Sequence, residues 1–104
     1  MKSLLAALVL FTALPTLADT TSALDAVVLE NAVRGAYWRD ETLVVEMEDD
    51  GSRRDGFADY LCFVLRDHGV ASFGDTRTLV KVIKVKSQVG APEQTLGAAL
   101  CPKF

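Results

Sequence analysis

The chain has 104 residues, with 11 basic and 14 acidic side chains, one histidine, two cysteines and a net charge of −3. That length permits one small domain with a modest core, the kind that often needs a covalent staple. The mild acidity argues against a nucleic-acid partner, because phosphate binding wants a basic face.

The N-terminus reads as a targeting segment. Met1-Lys2 carries positive charge, residues 4–14 are apolar apart from Thr12, and Pro15 breaks any helix. Thr16-Leu17-Ala18 then places small residues at the −3 and −1 positions of a cleavage site. This is the layout of a secretory signal peptide over 1–18. The apolar run is shorter than the roughly 20 residues that cross a bilayer, so no transmembrane segment is expected in the mature chain. Cleavage leaves one small α/β domain over 19–104, with 10 basic and 14 acidic side chains. Its expected destination is the periplasm or the extracellular space.

After the polar start 19–21, Ser22 reads as an N-cap with Asp25 as its box partner. Leu24, Val27, Val28 and Asn31 recur at helical spacing, and Gly35 fits a stop. The expected helix spans about 23–34, with 36–39 a brief extension. "TLVVEME" alternates, with Leu43, Val45 and Met47 on one side and Thr42, Val44, Glu46 and Glu48 on the other, which predicts a strand. "EDDGS" reads as a turn.

A second helix is predicted over about 53–68, capped by Ser52, with Phe57, Leu61, Val64 and Leu65 on one stripe. Gly69 fits the left-handed position after its end. "VASFGDT" reads as a loop. The β-branched run "RTLVKVIKVK" predicts a strand at about 77–86, and Gly90-Ala91-Pro92 turns the chain. The tail at 93–101 reads as a short returning strand in preference to a helical turn.

The expected fold is therefore an α/β two-layer sandwich of order α-β-α-β, with a possible third strand at the C-terminus. The two main strands are expected to lie parallel. Val44 would then lie beside Val82, Glu46 beside Lys84 and Glu48 beside Lys86. The element order resembles that of the BON domains of bacterial envelopes, but their glycine-centred strand pattern is missing and no family is assigned from it.

Candidate chemistry is sparse. Cys62 and His68 are six residues apart on one helix, which turns them 240° from each other. They therefore make neither a metal pair nor a nucleophile–base pair. His68 instead suits the C-terminal end of a helix dipole. Cys62 and Cys101 are the only cysteines, and in an exported small domain an even count predicts a disulfide. The stretch from Glu46 to Phe57 starts like a calcium loop, but Phe57 stands where a bidentate glutamate is required. Asp49, Asp50, Asp55 and Asp59 read as turn or helix-start acids. No catalytic set, metal site or cofactor motif is expected.

The expected binding surface combines the lysines Lys81, Lys84 and Lys86 with the aromatic pair Tyr37-Trp38, on a sheet face not covered by helices. The preferred function is a non-catalytic binding module for a protein or a cell-envelope component. The alternative is a small exported hydrolase or redox enzyme.

Overall fold

The computed structural model describes residues 16–70, 72–73, 76–86 and 88–102. Most of the expected signal peptide lies outside them. The order is α1 (Leu17–Val28), β1 (Val33–Arg39), β2 (Thr42–Met47), α2 (Asp55–Asp67), β3 (Ser72–Phe73), β4 (Thr76–Arg77), β5 (Leu79–Lys84) and β6 (Thr95–Leu100). This is a small α/β domain with a mixed sheet. A strict α-β-α-β order is not observed, because β1 precedes β2 and a two-strand ladder of two residues each occupies the expected loop at 70–76.

The cap of helix α1 lies six residues before the expected one, Ser22. Thr16 is its N-cap: its hydroxyl accepts the Asp19 N–H at 3.1 Å, and the Asp19 carboxylate accepts the Thr16 N–H at 3.2 Å. That reciprocal capping box satisfies two otherwise unpaired helix-start donors. The helix stops at Val28, well before Gly35. Leu29 is the C-cap, and the turn that follows puts Ala32 at φ 75° before β1 begins.

β1 and β2 form a hairpin whose loop is only Asp40-Glu41, with Arg39 opposite Thr42. Asp40 takes φ 56°, the left-handed first loop position that the primed hairpin turns require. No Asn-Gly or Asp-Gly pair announces that turn, so the sequence carries no hairpin signal for β1. The register shifts between Val33 and Gly35, so Arg34 is the extra residue of a bulge.

Helix α2 begins at Asp55, and its start is set by tertiary contacts. Its N-cap Arg54 makes no side-chain cap bond. The expected cap, Ser52, instead donates its hydroxyl to Asp50 at 2.5 Å. Two bonds to β6 fix the helix start: Arg54 N–H to the Leu96 carbonyl at 3.0 Å, and Ala98 N–H to the Asp55 carboxylate at 3.0 Å. The other end follows its sequence signal. Gly69 adopts φ 81°, its N–H reaches the Arg66 carbonyl, and the Val70 N–H reaches the Leu65 carbonyl at 2.8 Å. These are the two bonds of a Schellman motif, completed by the burial of Leu65 and Val70 in the core.

The four-stranded sheet runs β1-β2-β5-β6. β2 and β5 are parallel, joined by the α2 crossover, and the other two pairs are antiparallel. The β2–β5 register is one residue away from the expected one: Val45 faces Val82, Val44 faces Lys81, Glu46 faces Ile83 and Met47 faces Lys84. The reason is the pleat. A one-residue slip moves every side chain to the other face, and the expected register would have put Val82 on the face opposite Leu43, Val45 and Met47. The observed one aligns all of them with Val80 against the helices.

The core lies between that face and the two helices. It contains Ala23 and Val27 of α1, Ala58, Leu61, Cys62 and Leu65 of α2, and the five strand residues just named. Leu43, Val45, Leu61 and Leu65 are wholly excluded from solvent. Burial of each such side chain contributes roughly 1.5–3 kcal/mol. Val44 and Ile83, on the opposite face of the sheet, are also fully buried. Among the described residues no helix is long and apolar enough to cross a membrane.

Candidate functional site

Cys62 and Cys101 are joined by a disulfide, with their α-carbons 5.3 Å apart. Both are buried. The bond ties the middle of α2 to the residue just after β6, and the Cys101 N–H donates to the Thr78 carbonyl at 2.8 Å. The thiols are therefore consumed in a staple at the sheet edge. Glu46, Glu48, Asp49 and Asp50 do not converge either. The Asp49 carboxylate accepts the Gly51 N–H, and that of Asp50 accepts the Ser52 N–H. The Ser52 bonds hold the Asp50 carboxyl below its usual range, with nearby Arg54 assisting. Among the described residues no group of three or more His, Cys, Asp or Glu is placed to hold a metal ion.

His68 is the C-cap of α2, and its Nδ1 lies 2.6 Å from the Ser22 hydroxyl on α1. The contact joins the two helices. Sequence spacing could not find it, because 46 residues separate the partners. Among the described residues no carboxylate hydrogen-bonds His68.

Tyr37 and Trp38 do not form one rim. Tyr37 pairs with Val44 and Trp38 with Leu43, so strand alternation puts them on opposite faces. Trp38 packs against the core under α1, and its indole N–H donates to the Thr20 carbonyl at 3.2 Å. Tyr37 is partly exposed on the face away from the helices.

The three lysines also separate. Lys81 lies beside Val44 on the helix-free face, and its ammonium is 2.6 Å from the Glu93 carboxylate. Arg39 grips the same carboxylate with two contacts, at 2.9 and 3.4 Å. Because Arg39 is on β1 and Lys81 on β5, one acid from the β5–β6 loop ties strands on both sides of β2. The Arg39 bonds and then the Lys81 bond push the Glu93 carboxyl down to about 2. Neither Glu93 nor Arg39 carries a sequence signal for this role; their separation is 54 residues.

Lys84 and Lys86 are exposed and have no ion-pair partner among the described residues. Lys84 alternates with Val80 and Val82, so it projects from the helix-side face of the sheet, at the end of β5. With Val85, Ala91, Pro92 and Gln94, the two lysines line a shallow depression of about 220 Å³. Here two lysines with no ion-pair partner among the described residues meet apolar surface at the turn Gly90-Ala91-Pro92.

No protein-family model, curated protein or solved structure matches this chain. The functional reading therefore rests on the chain's own geometry.

Proposed function

We propose that this chain is an exported, non-catalytic binding module that recognises an acidic surface of a protein or cell-envelope component through the Lys84–Lys86 depression. The observation that carries this reading is the pair of exposed, unneutralised lysines on a chain whose net charge is −3. Lys81, by contrast, is already neutralised by Glu93. Val85, Ala91 and Pro92 supply apolar contact beside the charges, and the lysines steer an acidic partner toward them. Exposed charges are screened within about 8 Å at physiological ionic strength, so affinity falls as salt rises.

The test is capture of partners from a native extract by the mature protein. Lys84→Glu with Lys86→Glu is expected to abolish a salt-sensitive capture while the domain still melts normally. Capture that survives both substitutions would refute the site.

A small hydrolase is the second reading, favoured only by the Ser22–His68 contact at 2.6 Å. Among the described residues no third group is seen to orient this histidine as a catalytic one is oriented. Turnover on an ester or phosphoester panel that disappears in both Ser22→Ala and His68→Gln would replace the binding reading with this one.

A further inference from the structure

We propose that two copies of this chain associate through their β1 strands, antiparallel about Ala36, to form one continuous eight-stranded sheet. The two edges of the sheet differ. The β6 edge is occupied: Arg54 N–H bonds the Leu96 carbonyl, Asp55 accepts the Ala98 N–H, and the disulfide anchors the strand's end. Among the described residues, the β1 edge has no strand neighbour besides β2.

The hairpin fixes which β1 groups point outward. Residues flanking a two-residue loop form a hydrogen-bonded pair, and bonded pairs then alternate. Arg39–Thr42, Tyr37–Val44 and Gly35–Glu46 are therefore the bonded pairs of the ladder. The N–H and C=O of Ala36 point away from β2, and among the described residues neither meets a partner. An unpaired edge of this kind is a template for another strand.

The occupant is a second copy because the edge complements itself. With Ala36 opposite its own counterpart, Gly35 of each chain faces Tyr37 of the other. Gly35 leaves a gap on the helix-free face, and Glu46 leans into it, since a Cβ at position 35 would stand 3.0 Å from the Glu46 Oε1. Tyr37, partly exposed on that same face, brings a ring to cover the opposing glycine and a phenol O–H to donate to the opposing Glu46 carboxylate. An aromatic side chain across from an edge glycine is a known stabilising pair. Two-fold symmetry makes the contact twice. The bulge at Arg34 limits the regular edge to 35–39, so the association is weak and depends on concentration.

Sedimentation equilibrium on the mature protein, from about 10 μM to about 1 mM, tests this, a range that brackets the affinity of a small interface. The wild type is expected to move from one-chain to two-chain mass across the range. Tyr37→Asp sets a carboxylate against the opposing Glu46 and is expected to weaken the dimer at least tenfold. Ala36→Pro removes only an outward N–H, which an edge strand tolerates, and is expected to leave a monomer. Thermal melts check that both variants remain folded, and if Ala36→Pro does not fold, Tyr37→Asp decides alone. One-chain mass at every concentration overturns the proposal, as does a dimer that Tyr37→Asp leaves unchanged.

Discussion

Gly97 on β6 lies flush against the start of α2. A Cβ built there would stand 2.9 Å from the Arg54 α-carbon and closer still to its carbonyl carbon. The obstacle is backbone, so no side chain can swing aside, and the same segment is held by the Arg54–Leu96 and Asp55–Ala98 bonds. Overpacking at such a contact costs typically 1–3 kcal/mol. Gly97→Ala is therefore expected to lower the unfolding free energy measured by urea denaturation by that amount, with a correspondingly lower midpoint, and an unchanged midpoint would show that the helix start is free to move.

The disulfide stabilises by limiting the unfolded chain. Cys62 and Cys101 are 39 residues apart. A loop of that length contributes about 4 kcal/mol in the chain-entropy account. Cys101→Ala is expected to lower the melting temperature strongly, and thiol titration of the native wild type is expected to find no free thiol. Equal melting temperatures for the mutant and the oxidised wild type would contradict the staple's role.

Thr78, between β4 and β5, is fully buried, and among the described residues its hydroxyl has no partner. Its backbone carbonyl is used by Cys101, so its position matters more than its oxygen. Replacing an unsatisfied buried hydroxyl by a methyl group of similar shape removes a desolvation cost of about 1–3 kcal/mol. Thr78→Val should accordingly raise stability, by about 1 kcal/mol in chemical denaturation. A destabilised variant would mean that the hydroxyl is satisfied.

Glu93 makes stability depend on pH in one direction. Its carboxyl is depressed from an ordinary 4.5 to about 2 by Arg39 first and Lys81 second. The folded state therefore holds the deprotonated form more tightly than the unfolded chain does. The resulting stability is fully present above about 4.5 and is lost as pH falls toward 2. Asp55 acts in the same sense through the Ala98 N–H and then Arg53, as does Asp50 through Ser52. Glu93→Gln should flatten the acid limb of a stability-against-pH curve and leave the neutral plateau lower. An acid limb unaltered in Glu93→Gln would show that the ion pairs do not form in solution.

Where a local pattern decides the structure, the sequence was legible. The alternation of 42–48 marks β2, the stripe from Phe57 to Leu65 marks α2, and Gly69 marks its end. The cysteine count was enough to pair Cys62 with Cys101. Where tertiary contacts decide, it was not. Arg54 caps α2 only because β6 offers Leu96 and Ala98, and Asp40 turns the β1–β2 hairpin without a glycine to announce it. Tyr37 and Trp38 read as one patch in the sequence, but β1 is a strand and sends these neighbours to opposite faces. The Glu93 clamp and the Ser22–His68 contact join residues dozens of positions apart, a distance at which periodicity carries no information.

The N-terminus gives the last prediction. Exported protein is expected to begin at Asp19, from the charged start, the apolar run and the Thr16-Leu17-Ala18 site. That cleavage has a structural consequence, because Thr16 is the N-cap of α1 and Asp19 its reciprocal partner. Removing 1–18 takes away the cap, which costs typically 0.5–2 kcal/mol. It leaves the Trp38 bond to the Thr20 carbonyl one residue from the new terminus. A chain that retains Thr16–Ala18 should therefore melt higher than one starting at Asp19, and its Trp38 fluorescence should be less sensitive to helix fraying. Intact mass of the exported protein decides the site. A mass that retains Thr16–Ala18 would place cleavage upstream of the cap and keep the capping box in the mature protein.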